Sequence, residues 1–335
     1  MSRPLRNRIV VGDAVQRLRQ LPDHSVDMVL TSPPYFSLRN YQADGQLGQE
    51  ATVTEWVDNL RAVAREVARV LTPTGTFWLN VADRYATHDR EGAPRKSLLL
   101  GPSRLALALN SDGWLVRNQI IWAKTNPMPT SVRDRLAATH ETIWLLTRQR
   151  SYFFDLDAIR VPHTSRAVPQ ADAKESLPPS WRGRQADNLR GLVALKVAGR
   201  PGHPLGKNPG DVWRLPTSNY RGGHYATFPI RLADRAIRAG CPEARCTNCR
   251  APWQRAVRRL GATAIREALQ PGCACHAPRE PGLVLDPFMG AGTTAVAAQA
   301  LGRDWLGIEL NPDFAALARD RIAAARQKPP NSNAA

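Results

Sequence analysis

Long hydrophobic runs are missing from this chain of 335 residues. No stretch approaches about eighteen consecutive apolar residues, so a membrane-spanning helix is not expected. The amino-terminal "MSRPLRNRIVVGD" lacks the apolar core of a secretory signal, and the expectation is a cytoplasmic protein with reduced thiols. Cysteine is absent outside Cys241 to Cys275, where all 5 are clustered, which argues against a disulfide framework and for metal. Acidic residues are scarce, 29 against 46 Lys and Arg, and the net charge of +17 attracts polyanions. Nucleic acid is the favoured partner on that ground, although an arginine-rich, GC-rich genome produces the same excess.

Short apolar runs alternate with segments of helical period, the pattern of an α/β chain. "RIVV" reads as a strand ending at Gly12 and Asp13, and "SVDMVL" as a second that delivers "TSPPY" at its carboxyl end. Val53, Trp56, Val57, Leu60, Val63, Ala64 and Val67 recur at three- and four-residue steps, as one helix face does. "TPTG" reads as a turn into the strand "TFWLNVA", followed by a helix at about 98–109 and strands at "WLVRNQIIW" and "TIWLLT". The pattern dissolves over 161–210, where seven prolines and six glycines mark either a disordered linker or a loop-rich module shaped by its partner. A helix is expected to open near Pro229, and the tail 329–335 to be disordered.

"LVLDPFMGAGTT" carries the clearest ligand signal in the carboxyl-terminal half. An apolar strand runs into Asp286, then Gly290 and Gly292, then a helix opening at Thr293 and Thr294. Glycine there allows positive φ and close approach of a ligand to the backbone. A second strand ends in Glu309, 23 residues after Asp286, where an acid can hold ribose hydroxyls. The spacing is not G-x-G-x-x-G, so pyrophosphate is not the obvious ligand, and a cofactor with a nucleoside but no phosphate suits it.

"TSPPY", "LDPFMGAGTT" and "GIELN", taken together, resemble the amino-group DNA methyltransferases that use S-adenosylmethionine. The catalytic motif comes first and the cofactor motif last, and this circular permutation resembles the beta group of that family. "VGDA" and "HYATFPIRL" resemble two further family segments, and the likeness spans roughly 8–150 and 207–325. It implies a Rossmann-like methyltransferase fold. It also implies cofactor contacts from Asp13, Thr31, Phe228, Pro229, Asp286, Pro287, Phe288, Gly290, Gly292, Thr293, Thr294 and Glu309.

The resemblance also gives "SPPY" a chemical purpose. Methylating an exocyclic amine requires the base to leave the duplex. Its nitrogen lone pair is delocalised into the ring, so the site must accept hydrogen bonds from the amine and favour a tetrahedral nitrogen. Ser32 Oγ and the carbonyl of Pro33, stiffened by Pro33 and Pro34, are expected as those acceptors, with Tyr35 stacking on the base. No cysteine lies near these motifs, in keeping with direct transfer and no covalent enzyme intermediate. Family members with Ser before the two prolines tend to modify the 4-amino group of cytosine. The expected activity is therefore cytosine-N4 DNA methylation within a restriction-modification system, by a monomer on double-stranded DNA, with a cognate endonuclease as a functional partner. A 6-amino adenine methyltransferase, an RNA methyltransferase and a non-catalytic DNA-binding subunit are the alternatives.

Cys246 and Cys249 form C-x-x-C, and Cys273 and Cys275 form C-x-C. Four thiolates in two knuckles suit a closed tetrahedral structural Zn2+ site, resembling a zinc ribbon; a redox-active C-x-x-C is the alternative for the first pair. Cys241 reads as a spare buried thiol and His276 as a surface residue. The domains expected are a catalytic half (1–160), a target-recognition region (161–210), a cofactor half (211–240 and 282–328) and the zinc-ribbon insert (241–281). Trp181, Arg182, Arg184 and Arg190 are candidates for DNA contact within the recognition region.

Overall fold

The apolar run after Ser25 forms a strand whose six residues, Val26–Thr31, are all buried. Such a strand needs neighbours on both edges and helices on both faces. In the computed structural model, which describes residues 6–41, 43–163, 202–218, 227–260 and 263–327, it has both. Eight strands form one sheet. In spatial order they are β1 (Arg8–Val11), β12 (Asp304–Glu309), β11 (Leu283–Asp286), β2 (Val26–Thr31), β3 (Leu71–Val81), β5 (His140–Thr147), β4 (Leu115–Lys124) and β6 (Val212–Leu215). Within this sheet β5 alone runs against the rest. The carboxyl ends of seven strands and the start of β5 therefore share one edge.

Helices α1 (Ala14–Arg19), α2 (Val53–Val70) and α3 (Gly101–Ser111) pack on one another. Helices α4 (Ile230–Gly240), α5 (Thr293–Ala300) and α6 (Pro312–Gln327) form a second group. Alternation along β3 separates the two: Phe77, Leu79 and Val81 join the core beneath α2 and α3, while Thr76 Oγ1 donates to the Gly240 carbonyl at the end of α4 (2.9 Å). The helix face expected from the three- and four-residue steps is the buried face of α2. That helix starts at a capping box in which the Thr52 and Glu55 side chains bond each other's backbone N–H. From β2 the chain crosses through α2 to β3 on one side, and from β11 through α5 to β12 on the other. The two crossovers diverge between β2 and β11, the place where open α/β sheets hold their ligands.

"TPTG" is not the turn expected from its composition. Thr72 to Gly75 lie within β3, and the pairing jumps from Val26↔Leu71 to Met28↔Thr76, so the residues bulge out of the ladder. A Cβ on Gly75 would stand 3.0 Å from the carbonyl oxygens of Asp27 and Thr72, so β2 leaves little room for a side chain there. α4 starts at Ile230 with Pro229 at its N-cap position, in line with the helix expected to open near Pro229.

The described residues fall into two compact units, one within 1–155, 211–253 and 271–335, the other within 156–210 and 254–270. The insert expected at 241–281 is thereby divided. Its ends, β7 (Ala244–Cys246) and β10 (Arg279–Pro281), pair antiparallel in the first unit. The hairpin of β8 (Gln254–Leu260) and β9 (Thr263–Gln270) belongs to the second. Trp181, Arg182, Arg184 and Arg190, with most of the expected recognition region and the tail 329–335, lie outside the described residues. No helix among the described residues is long and apolar enough to cross a membrane.

Candidate active site at the strand ends

β2 and β11 run side by side and deliver Thr31 and Asp286 to the same edge. Asp286 is 2% exposed. Its Oδ1 accepts from Thr31 Oγ1 (2.6 Å) and from the Phe288 N–H (3.0 Å), and its Oδ2 accepts from Thr294 Oγ1 (2.6 Å). These four residues clamp β2, β11, the glycine turn and α5 together. Burial pushes the Asp286 carboxyl up from 3.8 to about 6, against the opposing hydrogen bonds from Thr294 and Thr31. The folded state thus holds this proton at higher pH than the unfolded chain does. The resulting stabilisation is complete below about pH 4 and is lost as the pH rises towards 6. Moving the carboxyl from 3.8 to about 6 corresponds to about 3 kcal/mol. Asp286→Asn should abolish that part of the pH dependence. Urea midpoints of both proteins between pH 4 and 7 would show it, and parallel curves would refute it.

The glycine turn is held by Glu309. Its Oε2 accepts from the Gly290 N–H (2.8 Å) and its Oε1 from the Asn311 N–H (2.9 Å). Gly290 and Gly292 both have positive φ, 50° and 77°. A Cβ on Gly292 would meet Ile322 and Ala318 of α6 at 3.1–3.3 Å, so glycine serves helix packing there. Thr293 Oγ1 accepts from Arg321 (2.9 Å).

A cavity of about 390 Å³ opens between the two motifs. Of the residues singled out from sequence, Asp13, Ser32, Pro33, Pro34, Tyr35, Pro287, Phe288, Gly290 and Glu309 line it. Asp13 also caps α1, its Oδ1 accepting from the Gln16 N–H (2.8 Å). A smaller cavity of about 40 Å³ lies against Ser32, Phe228, Asp286, Phe288, Gly290 and Thr293. Thr31, Thr294, Pro229 and Gly292 line neither cavity; the first two act through Asp286. Sequence reading missed Tyr41 and Phe314, whose rings meet edge to face at 6.3 Å on the wall of the larger cavity. Both fall outside the motifs, and only the start of α6 just after "GIELN" pointed to Phe314.

Beneath "SPPY" lies a polar cluster that the sequence did not suggest. Ser32 Oγ is 2.8 Å from Tyr35 Oη, which donates to Glu141 Oε2 at 2.6 Å. Asn80 Nδ2 donates to Glu141 Oε2 (2.7 Å) and Tyr35 Oη (2.8 Å), and lies 3.3 Å from Ser32 Oγ. Lys124 Nζ is 2.8 Å from the other carboxylate oxygen, Glu141 Oε1. Burial, then the neighbouring Glu141 carboxylate, raises the Tyr35 phenol well above its ordinary range, so its hydroxyl keeps a proton. The Pro34 carbonyl accepts from Trp56 Nε1 of α2 (2.9 Å), which fixes the double-proline kink. The available signal was polarity at strand ends: Asn80 late in β3, Lys124 closing β4, Glu141 near the start of β5.

Away from this edge, the sulfurs of Cys246, Cys249, Cys273 and Cys275 all lie within 4.8 Å of one another, a spacing compatible with a metal ion and the one such group among the described residues. Cys241 is buried apart from them, and His276 is exposed. Arg245, beside the first knuckle, is 1% exposed and anchors β7 to β2. Its Nη1 donates to Asp27 Oδ2 and the Ser25 carbonyl (both 2.8 Å), and its Nε to Glu280 Oε1 (2.9 Å).

Comparison with known proteins supplies a family. The model of the DNA methylase family matches residues 26–320. The Type II methyltransferase M.SmaI of Serratia marcescens is 33% identical over 95% of this chain and 91% of its own. M.XycI of Xanthomonas campestris pv. cyanopsidis is 34% identical over 93% of this chain and 86% of its own. Among solved structures, the cytosine-N4-specific PvuII DNA methyltransferase shares the fold, with a TM-score of 0.58 at 19% identity over 96% of this chain and 86% of its own. A putative DNA modification methylase of Thermus thermophilus, solved with S-adenosyl-L-methionine, gives 0.54 at 25% identity over 96% of both chains. A sheet that brings "SPPY" and the glycine turn to one cavity, and relatives matched almost end to end, place this chain in the DNA methylase family.

Proposed function

We propose that the chain is the modification enzyme of a restriction-modification system, transferring a methyl group from S-adenosylmethionine to the 4-amino group of a flipped-out cytosine in double-stranded DNA. The single observation that carries this reading is Ser32 on the wall of a cavity that Glu309, Asp13 and the glycine turn also line. The Gly290 N–H is occupied by Glu309 and not offered to a phosphate, which favours a nucleoside cofactor without one. Asp13 and Glu309 are the acids that would hold such a nucleoside, between the apolar walls of Phe288 and the Tyr41–Phe314 pair. When bound, the cofactor supplies an electrophilic methyl group on a positively charged sulfur. The rest falls to the chain: Ser32 Oγ and the Pro33 carbonyl accept the hydrogens of the amine, and the Tyr35 ring bounds the base. Catalytic strand first and glycine turn last is the circularly permuted, beta-group order.

Four sulfurs within 4.8 Å suit a structural zinc ion, since Zn–S bonds of about 2.3 Å place tetrahedral thiolates about 3.8 Å apart. The ion would be held by Cys246, Cys249, Cys273 and Cys275. The segment 161–210 is assigned to sequence recognition and the protein to the cytoplasm, on the nucleoid, as a monomer whose cognate nuclease need not touch it.

Incubation with S-adenosylmethionine and mixed-sequence DNA, digestion to nucleosides and mass spectrometry test the reading. 4-Methylcytosine is expected. 6-Methyladenine would retain cofactor and mechanism and overturn the base assignment made from Ser32.

A further inference from the structure

The hydrogens in the cluster under "SPPY" can be placed by counting. Asn80 is 1% exposed and its Oδ1 has no partner among the described residues. The opposite amide orientation would set that oxygen 2.7 Å from a Glu141 carboxylate oxygen, a repulsive contact, so Nδ2 faces the cluster. A carboxylate only accepts, so the 2.6 Å contact carries the Tyr35 hydroxyl hydrogen to Glu141. Tyr35 Oη has then spent its proton, and in the 2.8 Å contact with Ser32 it is the acceptor. The Ser32 hydrogen therefore points inward; with Asn80 Nδ2 3.3 Å from one side of Ser32 Oγ, a lone pair is still left to face the cavity.

We propose that Glu141, held by Lys124 and Asn80, is a positioning residue of the methyl transfer: the terminal acceptor of a chain, Ser32 to Tyr35 to Glu141, that keeps Ser32 Oγ an acceptor for the amine and conducts away the proton it releases. The inference rests on Ser32 facing the substrate amine, as in the function proposed above. In the transfer, the bond from the amine nitrogen to the methyl carbon forms as the sulfur–carbon bond breaks, its electron pair staying on sulfur. The amine is left with one proton too many. That proton passes to Ser32 Oγ, the Ser32 proton to Tyr35 Oη and the Tyr35 proton to Glu141 Oε2, so each hydroxyl ends neutral and the carboxylate ends protonated. The fold explains the arrangement. β5 runs against the rest of the sheet, which brings the residue near its start to the edge where β2, β3 and β4 end. Glu141, Ser32, Asn80 and Lys124 come from four different strands or strand ends.

The test is a single-turnover measurement of labelled methyl transfer to DNA by wild type, Glu141→Gln, Tyr35→Phe and the double variant, with the methylated base identified by mass spectrometry. A glutamine amide cannot take up the proton and can donate towards Tyr35, reversing the chain. Each single variant should transfer about tenfold to a hundredfold more slowly. Cofactor and DNA affinities and the unfolding midpoint should stay within twofold and a few degrees of wild type. The double variant should be no slower than the slower single one, because either change cuts the same chain. Glu141→Gln at the wild-type rate, a loss that tracks DNA affinity or stability, or additive losses in the double variant would each overturn the proposal. If Glu141→Gln does not fold, Tyr35→Phe removes one oxygen atom and decides alone: a wild-type rate refutes the chain. A methylated adenine in wild type would count against the cytosine assignment, while the variant rates still judge the relay.

Discussion

Ser32→Ala is expected to lower the rate of methyl transfer by about a hundredfold to a thousandfold, the cost of removing one preorganised hydrogen-bonding group from a reacting centre. Ser32 lines both cavities and is half-buried. If its task is to hold the amine, cofactor affinity should change by less than about twofold, as the hydroxyl cut from the side chain leaves the walls around Glu309 and Phe288 untouched. Calorimetry of S-adenosylmethionine binding beside single-turnover transfer separates the two effects. Equal losses in both would move Ser32 from the substrate side of the site to the cofactor side.

Cys249→Ser should have the largest effect on stability. Cys249 is exposed, so serine leaves no cavity and costs little packing. Any large loss therefore reports the metal, whose binding in small thiolate sites is worth on the order of 10 kcal/mol. Elemental analysis should find one zinc per wild-type chain and a large reduction in the variant. Thermal unfolding should drop by several degrees or more, since β7 and β10 lose their tie and Arg245 loses the frame that aims it at Asp27. Metal-free wild-type protein would end the assignment.

Local signals were the legible ones. The helix face of α2, the strand that ends at "SPPY", and the acid 23 residues beyond Asp286 all follow from spacing within a few turns or one crossover, and the structure has each of them. What the sequence concealed depends on pairing across the sheet. Composition makes "TPTG" a turn, and only the register of β3 against β2 turns it into a bulge. Asp286 reads as a cofactor contact, yet Thr31, on the neighbouring strand but 255 residues away in sequence, occupies one of its oxygens. Asn80, Lys124 and Glu141 form no motif, because their meeting depends on β5 reversing direction between β3 and β4. Gly292 resembles a ligand-facing glycine until α6 is seen to pack against it.

Thr31 and Asp286 meet across 255 residues of chain, and that separation sets a timetable. A ribosome adding about 5–20 residues per second exposes β2 on the order of ten to fifty seconds before β11 can pair with it. Through that interval the emerging polypeptide carries its "SPPY" loop without the turn, the acid or the helix that complete the cavity. Loop closure over so long a span is slow as well as late. A half-made copy has Asp13 but neither Glu309 nor the glycine turn, so the cavity that would hold a methyl donor beside a base is complete only once β11 and β12 have joined the sheet.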